Sequence, residues 1–439
     1  MRLRWRGVWV AMVLLGGLAV GSDRGGIYNQ QQHIYASYIG KSMTISATVL
    51  NDAVYDSKYQ LVCNATHIRL ANGRTLVGQI QVGGFGAPAL FAGDTIQITG
   101  KLRPAYGSGQ ASMSFARITV LAHHSSYIST VRRNFAAGLQ SALPEPTASF
   151  ALGILIGQRS TLPKINKTEL LMVGLTHIIA VSGYNLTILV IAMRRVSGRH
   201  SKRISFGLAF STIVFFVMLT GSSASIMRAA IVSTLSITAG YYGRKVKPLL
   251  LILIAATVTA YITPFYIWGD ASWYLSFLAF FGILVVAPLL EVRWKAKNII
   301  ILLVIETIAA ELMTIPYILM TFGQISPISL VANVMVVALV PLAMLLSAIA
   351  GVAGMMTPMF AGWVAWPATI CLTYMLDTAH LLSRIPHSFL NNLSLALGPM
   401  LFLYAVLLVF VMLLSRRTHQ FKYGKITDIT LIPKQGATK

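Results

Sequence analysis

Apolar residues fall into blocks of about 20 along most of this chain, the length an α-helix needs to cross the hydrocarbon core of a bilayer. The blocks lie at 7–21, 170–193, 204–221, 225–243, 248–267, 271–290, 298–321, 328–353, 359–383 and 397–414. The pattern predicts a polytopic α-helical membrane protein of about ten spans. A further apolar stretch, Thr147 to Gly157, is too short to span and predicts a re-entrant or interfacial piece.

One region keeps a different period. Met43-Thr44-Ile45-Ser46-Ala47-Thr48-Val49 alternates apolar with polar, as do Gln79-Ile80-Gln81-Val82 and Thr95-Ile96-Gln97-Ile98, and Arg117 to Leu121 is a last strand-like piece. Turn signals separate them at Asn72-Gly73, Gly83-Gly84, Gly93-Asp94 and Tyr106-Gly107-Ser108-Gly109. About five short strands in this length predict a small closed β-barrel, for which the OB-fold is the commonest solution. From Tyr127 to Leu143, Ile128, Val131, Phe135, Leu139 and Leu143 recur at helical spacing with Arg132 and Arg133 off that face. That predicts an amphipathic helix on the membrane surface, ended by Pro144 and Pro146.

The expected organisation is therefore an N-terminal transmembrane helix at 1–22, an extracytoplasmic OB-like domain at 23–125 and a surface helix at 126–146. A helical membrane domain at 147–415 and a cytoplasmic tail at 416–439 complete it, with no tandem repeat. A basic start and a short apolar run also suit a cleaved signal peptide, and either choice sends 23–145 to the outer face.

Composition agrees, with 56% hydrophobic and 11% charged residues and a mean hydropathy of +0.70. The net charge of +23 invites a nucleic-acid reading. However, the clusters Arg2 to Arg6, Arg194 to Arg203, Arg244 to Lys247, Arg293 to Lys297 and Arg416 to Lys425 each follow an even number of blocks, and the loops near 221–225, 265–271 and 322–328 hold no Lys or Arg. Cytoplasmic loops of membrane proteins collect such residues, so both termini are expected in the cytoplasm and much of the charge is orientation signal.

Polar residues inside the blocks are the candidates for chemistry: His177, Ser182, Asn185, Arg228, Glu306, Glu311, Asn333, Asp377 and His380. A charge at mid-membrane costs about 2.5–3.5 kcal/mol even on a lenient scale, which implies pairing, a pore, or both. Arg228 lies near the end of its block, where snorkelling to the interface is the plain alternative. Glu306 and Glu311 are about 140° apart around a helix, so they do not share one narrow lining. Glu311, with Thr314 one turn on and Pro316 beyond, is the better candidate. Asp377 and His380, three residues apart, satisfy each other in the simplest reading. In the alternating region, Lys101, Arg103 and Tyr106 crowd together after a strand. Cations beside stacking faces suit single-stranded nucleic acid, and they equally suit a solvated surface over ordinary core aromatics.

Enzyme readings fare poorly. The sequence contains no HExxH and no GxxxxGK[ST], and Ser182-Gly183 with a distant histidine is too short a match for a protease dyad. Cys63 and Cys371 have no metal-ligand company and predict no disulfide. No cofactor or metal is expected.

Five ordered pieces resemble the ComEC competence-channel family, which carries DNA into bacteria. Gly153-Ile154-Leu155-Ile156-Gly157-Gln158-Arg159 is similar to the segment before the family signature, and His177 through Leu186 is similar to the signature itself. Ser225-Ile226-Met227-Arg228-Ala229-Ala230-Ile231 with Gly243-Arg244 follows, then Trp273-Tyr274-Leu275-Ser276-Phe277-Leu278-Ala279 after Asp270. Thr314-Ile315-Pro316, Phe322-Gly323-Gln324, Asn333 and Pro341 complete the series. Three departures stand out: Tyr184-Asn185 where many members have Leu-His, Glu311 where glutamine is common, and no HxHxDH motif of the nuclease that often follows.

The resemblance implies a non-enzymatic channel that moves single-stranded DNA across a bacterial inner membrane during natural transformation. His177, Ser182, Asn185, Arg228, Glu311 and Asn333 would line or brace it, and the OB-like domain would receive the strand. It also implies a cytoplasmic ATPase motor, a separate nuclease, and a periplasmic or surface DNA receptor as partners. The alternative reading is a secondary transporter of a small solute, which predicts an inverted repeat that the sequence does not display.

Overall fold

The computed structural model describes residues 34–50, 53–55, 60–76, 78–86, 90, 93–104, 110–123, 127–158, 162–179, 183–197, 201–220, 224–244, 248–262, 270–294 and 298–418, with a few isolated positions before residue 34. The chain divides into two compact units. One comprises residues 1–138, 158–161 and 257–271, and the other comprises 139–157, 162–256 and 272–439.

The first unit is built on a sheet of seven strands among the described residues: β1 Ser42–Val49, β2 Val54–Tyr55, β3 Leu61–Leu70, β4 Thr75–Leu76, β5 Ile80–Phe85, β6 Thr95–Pro104 and β7 Ala111–Ala122. β1 pairs with both β6 and β3, so the pairings β1–β6–β7–β5–β3 return to their start. Only β5 with β7 is parallel; the other pairs in this ring are antiparallel. Period-two alternation drives Ile45, Ala47 and Val49 of β1, Ile80 and Val82 of β5, and Ile96 and Ile98 of β6 into one buried core. β3 is not among the expected strands. It buries Leu61, Cys63, Ala65, Ile68 and Leu70, with its phase slipping at Thr66-His67, where His67 has φ 51°.

The helices follow in order: α1 Tyr127–Ala142, α2 Thr147–Ile156, α3 Lys164–Met172, α4 Thr176–Ile179, α5 Gly183–Val196, α6 Lys202–Thr220 and α7 Ala224–Tyr241. Then come α8 Pro248–Ile262, α9 Ala271–Trp294, α10 Ile299–Phe322, α11 Ser329–Met356, α12 Pro358–Ser383 and α13 Leu397–Thr418. Six of these, α6 and α9 to α13, are long and apolar enough to cross a membrane. Their outward faces stay greasy: Phe215 is 58% exposed on α6, Trp363 85% on α12 and Phe402 68% on α13. In water such faces would be a liability, and in lipid they are at home.

The expected spans at 225–243 and 248–267 are helices of 18 and 15 residues. The block 170–193 is not one continuous helix. Val173-Gly174-Leu175 separates α3 from the four-residue α4, and α5 begins only at Gly183. The block 7–21 lies almost wholly outside the described residues. The short stretch from Thr147 is a ten-residue helix, α2, buried along its whole length and capped by Gly157 in the left-handed conformation at φ 75°. α9 carries a π-helical turn at Gly282–Val286, and α11 a 3-10 turn at Val337–Leu339.

Candidate functional site

Glu311 on α10 is the centre of a polar cluster inside the helical unit. Its Oε1 accepts a hydrogen bond from Ser329 Oγ at 2.7 Å and another from Asn333 Nδ2 at 3.3 Å. Both donors sit on the first turns of α11, where the helix dipole favours negative charge. The Phe322-Gly323-Gln324 turn makes this possible. Gly323 takes φ 63° to end α10, and Ile325 then forms a two-bond bridge with Leu390, returning the chain to start α11 beside Glu311. Thr314, expected as the neighbour of Glu311, instead donates to the carbonyls of Ala310 at 3.0 Å and Glu311 at 3.3 Å.

The broken signature segment reaches the same cluster through its backbone. Gly174 has φ 75°, and a Cβ built there would lie 2.8 Å from Ser329 Cβ. Only glycine fits the turn and the approach together. One helical turn further, the exposed His177 ring places Nδ1 3.1 Å from Gly174 O. His177, Gly174, Ser329, Glu311 and Asn333 thus form one continuous chain of contacts. Asn185 opens α5, is buried, and donates from Nδ2 to the Ile154 carbonyl of α2 at 3.2 Å. Ser182 lies outside the described residues.

Arg228 belongs to a second cluster. It is 6% exposed on α7, so it does not snorkel. Its guanidinium lies 5.5 Å from each of the Phe277 and Phe280 rings of α9, and Nη2 donates to Ser225 Oγ at 3.4 Å. Ser276 donates to the same Ser225 oxygen at 3.4 Å. Among the described residues, no carboxylate pairs with Arg228, and its buried Nη1 has no hydrogen-bond partner. The Oδ1 of Asn333 is the same kind of atom, buried and unpartnered.

His380 corrects a sequence expectation. It pairs not with Asp377 but with Glu169 of α3, Nδ1 to Oε1 at 2.5 Å. The partners are 211 residues apart, a separation that no local pattern signals. Ser329 and Ser225 were not legible as site residues either, because a serine near a helix start ordinarily reads as a cap; Ser276, more than a turn inside α9, reads as ordinary helix packing.

In the sheet unit, Lys101 and Arg103 are exposed on alternate positions of β6, with Leu102 buried between them. They share one face, as the strand period requires. Tyr106 lies outside the described residues.

These features define a multi-pass membrane protein with a polar cluster threaded through interrupted helices, joined in one chain to a β-sheet unit. Residues 154–417, more than half of the 439-residue chain, match the family described as Competence protein, and the chain belongs to that family. It is also similar to ComE operon protein 3 of Bacillus subtilis (strain 168), at 24% identity over 211 residues. That match covers 47% of this chain and 26% of the relative, so the chain spans about a quarter of the protein it resembles. No solved structure matches it.

Proposed function

We propose that this protein is a channel that moves single-stranded DNA into the cytoplasm across a bacterial inner membrane during natural transformation. Membership of the Competence protein family supports a role in DNA uptake. One observation supports the direct part in translocation: Arg228, a buried guanidinium with no carboxylate partner among the described residues. Burying an uncompensated cation is costly unless an anion visits it, and each nucleotide of a strand brings one phosphate. The two Phe rings hold the guanidinium in place without neutralising it.

In this reading His177, Ser182, Asn185, Glu311 and Asn333 line or brace the path with Arg228, and the ten spans leave both termini in the cytoplasm. The cyclic pairing of β1, β3, β5, β7 and β6, with one parallel pair, supports an OB-like barrel for the sheet unit. That barrel faces outward and takes the incoming strand through Lys101, Arg103 and Tyr106. A surface or periplasmic DNA receptor delivers the strand, a nuclease removes its complement, and a cytoplasmic ATPase supplies the work; the channel itself does no covalent chemistry.

Transformation frequency tests the reading. Arg228→Met keeps much of the side-chain volume and removes the charge, so transformants should fall at least about a hundredfold, two decades being about 2.7 kcal/mol. Arg228→Lys should retain an intermediate frequency, since the charge survives without the planar fork. Membrane levels of both variants should equal wild type. Normal transformation by Arg228→Met would remove Arg228 from the path.

A further inference from the structure

β7 contains an irregularity that its core does not need. Ala111 and Met113 point inward, and then the phase slips so that Ala116 and Ile118 point inward. Both neighbours register the same extra residue. Along β5 the pairs run from Val82–Met113 to Gly84–Ala116, and along β6 from Leu102–Met113 to Thr99–Arg117. This is a β-bulge at Ser114-Phe115, and bulges of this kind re-aim a side chain. Here the re-aimed side chain is Phe115, which is 58% exposed and sits at φ 58°, a conformation uncommon for non-glycine residues and unfavourable for a bulky one.

The surrounding residues are built to hold that arrangement. Gln60, only 4% exposed, accepts the Phe115 N–H on its side-chain oxygen at 2.9 Å. Gly84 leaves room for the bulge, since a Cβ there would lie 2.1 Å from the Ala116 carbonyl oxygen. Strain that is over-determined by its surroundings, with an aromatic ring sent into solvent, points to use of the ring and not to packing.

What the ring meets on that face is informative. Phe85, 45% exposed at the end of β5, has its centroid 6.4 Å from that of Phe115 at an interplanar angle of 40°. Arg117 lies beside Phe85 in register and is exposed. Lys101 and Arg103 occupy exposed positions of β6 across from the bulged strand. Two outward rings with three cations and no acid at the exposed β5, β6 and β7 positions suit a ligand that is anionic along its length and flat at intervals.

We infer that Phe85 and Phe115 form a stacking platform for the bases of a single strand, whose phosphates are held by Lys101, Arg103 and Arg117; this inference rests on the single-stranded DNA reading above. Stacking is tolerant of sequence because every base has a π-face, and phosphate contacts make binding fall with salt. The occupant is thus a strand taken without regard to sequence.

Fluorescence anisotropy on the full chain in neutral-lipid nanodiscs at low salt, with labelled oligothymidylate and an abasic strand of equal length, tests this. Wild type should bind oligothymidylate roughly tenfold more tightly than the abasic strand, the scale of a stacked base. Phe115→Gly removes the ring and relieves the backbone. Its melting temperature should equal or exceed wild type, while its oligothymidylate affinity falls about tenfold to the abasic level. Phe115→Asn, a residue tolerated at positive φ, and Phe85→Ala should weaken binding in the same direction. Equal wild-type affinity for the two strands, or undiminished oligothymidylate binding by a folded Phe115→Gly, would overturn the platform and leave the pair as a protein or membrane contact. Failure of wild type to bind either strand would instead overturn the single-stranded DNA reading on which the platform rests.

Discussion

Glu311 is held by two donors that arrive from another helix, and its environment sets what each substitution costs. Glutamine retains a carbonyl oxygen for Ser329 and Asn333 and gives up only the charge. Leucine leaves both donors in a part-buried site without that acceptor, at up to about 1–3 kcal/mol each. Thermal unfolding of the solubilised protein should therefore order wild type above Glu311→Gln and Glu311→Gln well above Glu311→Leu; equal melting of the last two would show that the two bonds carry no weight. Gly174 is constrained from two sides at once. Alanine there adopts the left-handed backbone at about 1–2 kcal/mol and pushes a methyl group toward Ser329 Cβ, 2.8 Å away. Gly174→Ala should lower the melting temperature and also loosen the Ser329–Glu311 contact. An unaltered melting point for Gly174→Ala would mean the turn is free to move.

At the scale of elements, the interrupted segment from α3 to α5 is the feature that distinguishes this membrane unit from a bundle of plain helices. A break frees backbone groups, which are tolerated at membrane depth only where protein or water satisfies them. Asn185 supplies one such tie, since its amide joins the start of α5 to the Ile154 carbonyl of the wholly buried α2. Asn185→Leu removes the tie without changing helix propensity for the worse; DNA uptake should drop tenfold or more while the variant still reaches the membrane at wild-type level. Uptake at the wild-type rate would reduce Asn185 to a packing residue. The sequence carried the long apolar helices and the β1, β5 and β6 strands plainly, because each keeps a regular period, and of β7 it carried the part from Arg117 that lies beyond the bulge. It hid β3, where cysteine and alanine stand at inward positions and the phase slips at His67. It hid the break as well, since a window of about 20 residues averages hydropathy across Gly174 and registers one unbroken helix. Candidate residues followed the same division. Glu311 and Asn333 stood out as polar atoms in apolar blocks, yet their meeting, like that of Glu169 and His380, depends on contacts far apart in sequence that no local period encodes.

For the whole molecule, orientation in the membrane decides which unit meets DNA first, and the chain is well suited to measuring it. Its two cysteines are both buried, Cys63 at 1% and Cys371 at 8% exposure. Burial in the sheet core also pushes the Cys63 thiol up to about 12. The thiolate is the reactive form, so at neutral pH the native protein should give almost no background with a membrane-impermeant maleimide. Single cysteines can then be added without removing the native ones. Ala71 lies on the exposed turn between β3 and β4, and Ser201 is exposed at the start of α6 within the basic cluster that runs from Arg194 to Arg203. The proposed topology, argued from the distribution of Lys and Arg, has Ser201 in the cytoplasm and the sheet unit outside. Ala71→Cys should therefore react in intact cells with the outer membrane permeabilised, and Ser201→Cys should react only after the inner membrane is opened. Denaturation should expose Cys63 and Cys371 and raise labelling in every sample, which confirms that silence before it reflects burial. Labelling of Ser201→Cys in intact cells, with Ala71→Cys protected, would invert the molecule. The sheet unit would then receive the strand after passage, and Lys101, Arg103 and the Phe85–Phe115 pair would be an exit site, not an entrance.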